Sequence, residues 1–424
     1  MDSDEIYWLW LQYVLGYADT RIKNVLEEYG SAKEFFKAPA DKAKKCGLKS
    51  SQVKRLNSEK PERFSDISDY CRAHGIKIIN IGNKLYPKRL ESISDPPTVI
   101  FVKGELPELD NEPTVTVVGP RRPSEYGIKS AFSLSRRLSL GGFIVISGGA
   151  KGVDSYAHAG ALSVGAKTVA VLGCGIDADY LKCNRELREK ISENGCLISE
   201  FPPNVGASRS TFPIRNRIMS ALSLGTIVVE AGKKSGALIT AAHAAEQGRD
   251  VFAIPGNPSD PNYFGSNALI RDGARPLLTA LDVFDEYISL YPDKIDIERA
   301  FDPKGNTGAT AAFEEAVKRF SGTSAKSAPK PEKSQSVPRK TPENPQKEPS
   351  KPPTVDSTPK KDKNTDMLSD DAKRFYEGIT ESPFFIDDII AKTGLTSFNA
   401  ISAATELEVL GMIKSVPGGR FETV

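Results

Sequence analysis

Two spacings of apolar residues divide this chain. Up to residue 65 they recur every three to four positions, in IYWLWLQYVLGY and again in RIKNVLEEYGSAKEFF, the spacing of helices that bury one face. Gly16 and Gly30 stand where the pattern breaks and mark helix ends. The order L-G-Y-A-D-T-R-I-K-N-V-L predicts a helix, a tight turn and a second helix over residues 1–65. Such a helix-hairpin-helix unit either offers turn amides to a DNA phosphate or forms a small bundle for protein contacts. The turn has no G-x-G, and both readings stay open.

Beyond residue 65 the spacing changes. Residues 66–112 hold a short strand, Lys77–Ile81, and then Pro96-Pro97, which forces an extended entry into another strand. Between 113 and 285, short apolar β-branched runs alternate with helical stretches such as Ile128–Ser139 and Ala237–Gln247. The runs are Val115–Val118, Phe143–Ile146, Thr168–Leu172, Cys196–Ser199, Thr226–Val229 and Asp250–Ile254. Continuous apolar runs fit strands covered on both faces. Repeated β-α units give an α/β domain, residues 66–302, with a doubly wound parallel sheet and right-handed crossovers.

Residues 303–365 are dominated by Gly, Pro, Lys, Ser and Thr and predict a disordered linker, with one or two isolated helical turns at 311–320. From 366 to 424 a core pattern returns, as three helices and a Gly-containing hairpin, the order of a winged helix. Its third helix carries Glu406 and Glu408 and few basic residues, so a protein-contact role fits it at least as well as groove reading.

Composition narrows the classes. The 424 residues carry a net charge of +2, so a nucleic-acid site has to come from local clustering of cations. Five cysteines without a C-x-x-C pair argue against a disulfide framework or a zinc ribbon and for a reducing cytoplasm. The three histidines are too scattered for a metal cage. The acidic start MDSDEIYWLW lacks a signal-peptide n-region, and no apolar run is long enough to span a membrane.

Ligands of a parallel sheet sit beyond the carboxyl ends of its strands. Here those ends are Gly119-Pro120-Arg121-Arg122, Ser147-Gly148-Gly149-Ala150-Lys151-Gly152, Gly173-Cys174-Gly175, Glu200, and Glu230 through Gly236. Together they predict a phosphate-lined pocket. No G-x-G-x-x-G follows the first strand and no P-loop occurs, so no nucleotide cofactor is expected. Asp154, Asp177, Glu200 and Glu230 all fall near strand ends, as a two-metal nuclease needs. The plainer reading has Asp154 capping the next helix and the glutamates pairing with nearby Arg and Lys, and no metal is expected.

The richest stretch is STFPIRNR, residues 210–217. An aromatic face stacks on a base, and arginine forks pair with phosphate. Arg121, Lys151, Lys182, Arg209, Arg215 and Arg217 are dispersed in sequence yet converge on one sheet edge, with Phe212 among them in what reads as a loop. Arg215 and Arg217 enter a helix and are expected to serve partly to fix that loop against Glu200 or Glu230.

These residues resemble the DNA-processing protein A (Smf) family. The likeness rests on VVGPRRPSEYG (117–127), SGGAKGVDSYAH (147–158), AVLGCGIDADYLKCN (170–184), SEFPP (199–203), FPIRNRIMSALS (212–223), VVEAGKKSGALITA (228–241) and the run 246–274. The resemblance implies an extended Rossmann-like domain that binds single-stranded DNA, a homodimer, and loading of the recombinase RecA during natural transformation. It implies no catalysis. It assigns phosphate binding to Arg121, DNA contact to Arg209 and Lys182, and a base contact to Phe212, with Lys151, Gly119, Gly148 and Gly149 completing the expected pocket. Two departures stand out: Pro120 replaces a Ser or Thr, and Leu181 replaces the proline of a Y-P-K segment. The rival class is a phosphoribohydrolase-like nucleotide enzyme on the same sheet. Its P-G-G-x-G-T-x-x-E motif corresponds here to Glu230–Thr240, without that catalytic glutamate.

Overall fold

The apolar runs between 76 and 276 form one nine-stranded sheet: β1 (Ile76–Asn80), β2 (Val99–Gly104), β3 (Thr114–Val118), β4 (Ile144–Ser147), β5 (Thr168–Leu172), β6 (Gly195–Ser199), β7 (Gly225–Val228), β8 (Asp250–Ala253) and β9 (Arg275–Pro276). The structure is a computed structural model that describes residues 4–39, 41–178, 184–302, 308–320 and parts of 368–423. The sheet order is β1-β2-β6-β5-β4-β3-β7-β8-β9. From β6 through β9 neighbouring strands are parallel, whereas β1 and β2 pair antiparallel with each other, and β2 antiparallel with β6. Every residue of β3 to β7 is buried, as strands with helices on both faces must be.

The winding starts at β3, proceeds outward to β6, then returns across β3 to β7 and β8. The reversal lies between β3 and β7, and there the loops that leave two adjacent strands diverge and open a crevice. The segment 66–112 thus does more than bridge domains: it supplies β1 and β2 as an antiparallel extension of the sheet.

The chain divides into two compact units, residues 1–328 and 329–424. In the first, the N-terminal helices share one continuous apolar core with the sheet, so residues 1–65 are not packed as a separate body. Trp10 is fully buried in it, and its indole N–H donates to the Glu59 carbonyl at 2.9 Å. Burial of one such side chain contributes about 2–3 kcal/mol. The helix–turn–helix at 5–29 is present, with the helices Glu5–Leu15 and Arg21–Tyr29. Its turn faces the protein's own sheet. The Ala18 N–H donates to the Glu200 carboxylate, the Gln12 side chain donates to the Glu200 carbonyl at 2.7 Å, and the Tyr17 ring lies 4.7 Å from that of Phe201. The Ala18 amide is therefore already committed inside the molecule.

A second correction concerns 309–320. Ala309–Phe320 is a helix of 12 residues docked on the sheet domain rather than isolated turns in a linker. Phe313 packs edge-on against Phe132 at 5.4 Å, Phe320 against Tyr156 at 5.5 Å, and Arg319 pairs with Glu186 at 2.9 Å. The remaining expected linker residues, 303–307 and 321–365, lie outside the described residues.

The second unit contains the helices Asp370–Gly378 and Ile386–Thr393 and an antiparallel hairpin, β10 (Ile413–Val416) with β11 (Arg420–Thr423). Phe375, Phe384, Ile389 and Leu407 anchor its own core. Glu406 accepts hydrogen bonds from the Ser369 N–H and hydroxyl at 2.8 and 2.6 Å, which ties the expected third helix to the start of the first. Glu408 lies outside the described residues. Among the described residues no helix is long and apolar enough to cross a membrane, and no group of His, Cys, Asp and Glu could hold a metal ion.

Candidate nucleic-acid interface

A cleft of about 350 Å³ opens beyond the carboxyl ends of β3 and β4, at the reversal of the sheet. Gly119, Pro120 and Arg121 form one wall, and Ala150, Lys151 and Asp154 form the next. The helix Thr211–Ala221 gives the third through Phe212, Arg215, Asn216 and Met219. That spacing of i, i+3, i+4 and i+7 is one helix face. Phe212 therefore stands in the first turn of a helix, not in a loop. Pro213 is tolerated there because first-turn N–H groups have no intrahelical partner.

The walls meet through glycines. Gly152 has φ +92°, and a Cβ on it would lie 2.3 Å from the Pro120 carbonyl oxygen and 2.7 Å from Arg121 backbone atoms. Only glycine lets these two turns touch. The Pro120 carbonyl also accepts the Val153 N–H at 3.2 Å, so the departure at Pro120 leaves the carbonyl side of the turn in use. Gly173 supports the aromatic wall: a Cβ there would sit 2.8 Å from the Phe212 ring. Gly148 leaves room for the Arg215 guanidinium, which would be 1.9 Å from a Cβ at that position, and Gly149 takes φ +59° in the same turn.

The basic residues then divide by burial. Arg121 and Lys151 are exposed in the cleft, and the Arg121 guanidinium lies 4.7 Å from the Phe212 ring centroid. Arg215 lies 5.9 Å from the same ring but is buried, donating to the Val171 carbonyl and to Asn216. It shapes the floor. Arg209 is exposed in the turn that leads into the helix and does not line the cleft. Lys182 lies outside the described residues.

Arg217 is the clear correction to the expected contact set. Five residues past Phe212, it points away from the cleft face and is 2% exposed. Its Nη2 donates to both Glu200 oxygens at 2.8 Å, and its Nε lies 3.3 Å from Asp95 without hydrogen-bond alignment. Burial pushes the Glu200 carboxyl above its usual range, against the pull of Arg217. This ion pair clamps the Phe212 helix to β6 and, through Ala18, to the N-terminal turn.

The other acids are likewise committed. Asp154 is buried and accepts the Ala150 N–H at 3.3 Å, which holds the glycine turn closed; burial raises its pKa while Arg215 opposes the rise. Glu230 accepts from the Ser124 N–H and hydroxyl at 3.0 and 2.7 Å and from the Tyr263 hydroxyl at 3.2 Å. It pairs with hydroxyls and a helix N-terminus rather than with the Arg or Lys the sequence suggested. Asp177 pairs with Lys103 at 3.1 Å.

His158, on the helix that follows the glycine turn, is fully buried. The Thr168 hydroxyl donates to the Val145 carbonyl, so it accepts from His158 Nδ1–H at 2.8 Å, which fixes a neutral tautomer. Burial, with Arg215 adding to it, pushes its pKa down to about 3. The unfolded chain, with an ordinary value of about 6.5, binds the extra proton between those limits. The stabilisation is complete above about pH 6.5 and falls as the pH drops. Going from about pH 7 to about pH 5 should cost about 2 kcal/mol through this residue. Urea denaturation at both values reads that loss, and His158→Asn, which keeps an N–H donor, should abolish most of it.

Sequence reasoning placed Ser235 and Gly236 at this sheet edge but missed Ala237 and Thr240 and named none of the far wall as a contact. Ser235, Gly236, Ala237 and Thr240 line the cleft from the start of the helix Ala237–Glu246. The signal was present: a Ser-Gly pair immediately before an apolar helix, after a strand end, aims N–H groups at the crevice.

A family model described as DNA recombination-mediator protein A matches residues 77–288, the region that carries the sheet and every cleft-lining residue, and a DprA winged helix domain matches residues 358–419. The chain belongs to the DNA recombination-mediator protein A family. Its DNA processing protein DprA relative in Bacillus subtilis (strain 168) is 40% identical over 215 residues, which is 51% of this chain and 72% of that one. Protein Smf of Synechocystis aligns over 99% of both chains at 28% identity, so the family likeness runs through both units. The X-ray structure of DNA processing protein A from Streptococcus pneumoniae matches with a TM-score of 0.59 and 34% identity, covering 66% of this chain and 97% of that one.

Proposed function

We propose that this chain binds single-stranded DNA in the cleft beyond β3 and β4 and acts as a DNA-processing recombination mediator rather than as an enzyme. The observation that carries the reading is the pairing of Arg121 and Phe212: an exposed guanidinium over a partly exposed ring, both fixed on glycine-supported backbone. Arg121 sits on a flexible stem. On binding it turns to a phosphate, and the ring face it covered takes a base, exchanging one cation–π contact for a stacked pair. Lys151 and the N-terminus of Ala237–Glu246 offer further positive potential to the backbone. Arg209, and Lys182 by family likeness, extend the contact, while Gly119, Gly148 and Gly149 allow close approach.

The acids support binding without catalysis, since Asp154, Glu200 and Glu230 each serve a structural partner. A phosphoribohydrolase-like role needs an acid free to face the substrate, and Glu230 is held by Ser124 and Tyr263. The names of the relatives speak of DNA processing and recombination mediation. Handling incoming DNA during natural transformation, loading the recombinase RecA, and working as a homodimer in the cytoplasm extend that reading through the family resemblance alone. Buried free thiols at Cys46, Cys71, Cys174 and Cys196 suit that compartment.

Two substitutions separate the two contacts. Phe212→Ala should weaken binding to oligothymidylate by about 1–3 kcal/mol with the salt slope unchanged. Arg121→Ala should lower the log–log salt slope by about 0.7 for its one phosphate. Fluorescence-anisotropy titrations at several salt concentrations measure both. Wild-type affinity and slope in both variants would remove the cleft as the site.

A further inference from the structure

A second polar cleft, of about 340 Å³, lies against the segment that follows the Gly173-Cys174-Gly175 turn and is lined by Lys103, Asp177, Arg185, Arg188 and Glu189 together with apolar side chains. Arg188 is 9% exposed and has no hydrogen-bond or ion-pair partner among the described residues. None of its nitrogens is among the fully buried unpartnered atoms, so this largely buried, unpaired guanidinium opens onto the cleft, where an anion can meet it. The neighbouring acids do not supply one. Asp177 is spent on Lys103 at 3.1 Å and on the Tyr70 hydroxyl at 3.3 Å. Glu189 stands exposed on the rim.

The helix Arg185–Glu193 begins at this cleft. Its N-cap, Asn184, makes no side-chain cap, because its amide donates instead to the Gly149 carbonyl at 3.1 Å and to Ser155 at 3.0 Å. Asn184 thus leaves the first-turn N–H groups without its own side-chain cap, and the same residue ties this helix to the glycine turn of the first cleft. The Gly173–Gly175 turn joins a residue packed against the first cleft to Ile176, Asp177 and Ala178, which line the second. Gly173 abuts the Phe212 ring on one side, and Cys174 feels the charges of Arg188 and Arg215 together.

We propose that single-stranded DNA bound at Phe212 continues over the Gly173–Gly175 turn and seats a further backbone phosphate against Arg188 in this second cleft. The inference rests on the DNA-binding reading above and adds a second phosphodiester subsite to it. Arg188 supplies the fork, the first turn of Arg185–Glu193 supplies N–H donors, and Glu189 on the rim opposes the incoming charge.

The test uses the full chain with labelled oligothymidylates of about six and about thirty nucleotides, the short one sized for the first cleft alone. Wild-type protein should show a steeper salt slope with the long strand, by about 0.7 or more. Arg188→Gln should bind the long strand roughly tenfold more weakly and lose that increment, with the short strand unaffected. Arg188→Lys should keep the slope. Because Arg188 is buried, the exposed Glu189→Gln gives an independent reading: it should tighten long-strand binding and leave the short strand alone. The subsite is overturned if wild type shows no length-dependent slope, or if both Glu189→Gln and a folded Arg188→Gln bind the long strand as wild type does. Failure of wild type to bind either strand would instead overturn the first cleft, and the second with it.

Discussion

Arg217→Ala should destabilise the first unit by about 3–5 kcal/mol, the range for removing one partner of a buried ion pair. The substitution strands the Glu200 carboxylate at 2% exposure with only the Ala18 N–H and a more distant Asp95 charge for company. It also frees the Phe212 helix from β6. Arg121→Ala, at an exposed position on the other side of the same site, should change stability by less than about 0.5 kcal/mol. The two tryptophans of the chain, Trp8 and Trp10, both sit in the N-terminal helix that shares the core of this unit, so their fluorescence in a urea titration reads it selectively. Equal stability of the two variants would show that Arg217 is not a clamp.

Gly152→Ala should cost about 3 kcal/mol and weaken DNA binding as well. Two penalties combine. The φ of +92° belongs to a region that residues with a Cβ avoid, at about 1–3 kcal/mol. The added carbon would also press on the Pro120 carbonyl and the Arg121 backbone, and overpacking of this kind costs about 1–3 kcal/mol. The collision is with backbone, so no side chain can swing aside to relieve it. The Arg121 turn must move, and with it the guanidinium over Phe212. Gly165→Ala is the natural control: it too has a positive φ, +67°, but nothing lies within 4 Å of its Cβ position. Gly165→Ala should lose stability alone. If Gly152→Ala left both stability and affinity at wild-type levels, contact between the two turns would not be what shapes the cleft.

Much of this was legible in the residues, and the exceptions have physical reasons. Continuous apolar runs such as Thr168–Leu172 betrayed strands covered on both faces, and six of these fixed a wound parallel sheet with its ligand edge. The convergence of Gly119, Lys151 and Phe212 followed from that edge alone. What sequence reasoning blurred was which arginine does what. Once STFPIRNR is read as the start of a helix, a 3.6-residue period puts Phe212, Arg215, Asn216 and Met219 on one face and Arg217 on another. Read as a loop around Phe212, it gives all three arginines to DNA. The same reading already lets Arg215 and Arg217 enter a helix and partly hold the loop against Glu200 or Glu230, and the Arg217–Glu200 pair is the part of it that the structure bears out.

The helix Ala309–Phe320 was hidden differently. Ala312, Phe313, Ala316, Val317 and Phe320 carry the three-to-four spacing of a buried face, but they border a stretch whose composition argues for a linker. The partners of Glu230 were not legible at all, because Ser124 lies 106 residues away and neither hydroxyl donor carries a charge that would have pointed to it.

The most direct measurement is a titration of the full chain against labelled oligothymidylate in competition with unlabelled duplex of the same length, repeated with Phe212→Ala. Single-stranded DNA should bind in preference to duplex, because only unpaired bases present a face to Phe212, and the substitution should reduce that preference by about 1–3 kcal/mol. Equal affinity for the two DNA forms, unaltered by Phe212→Ala, would contradict the account.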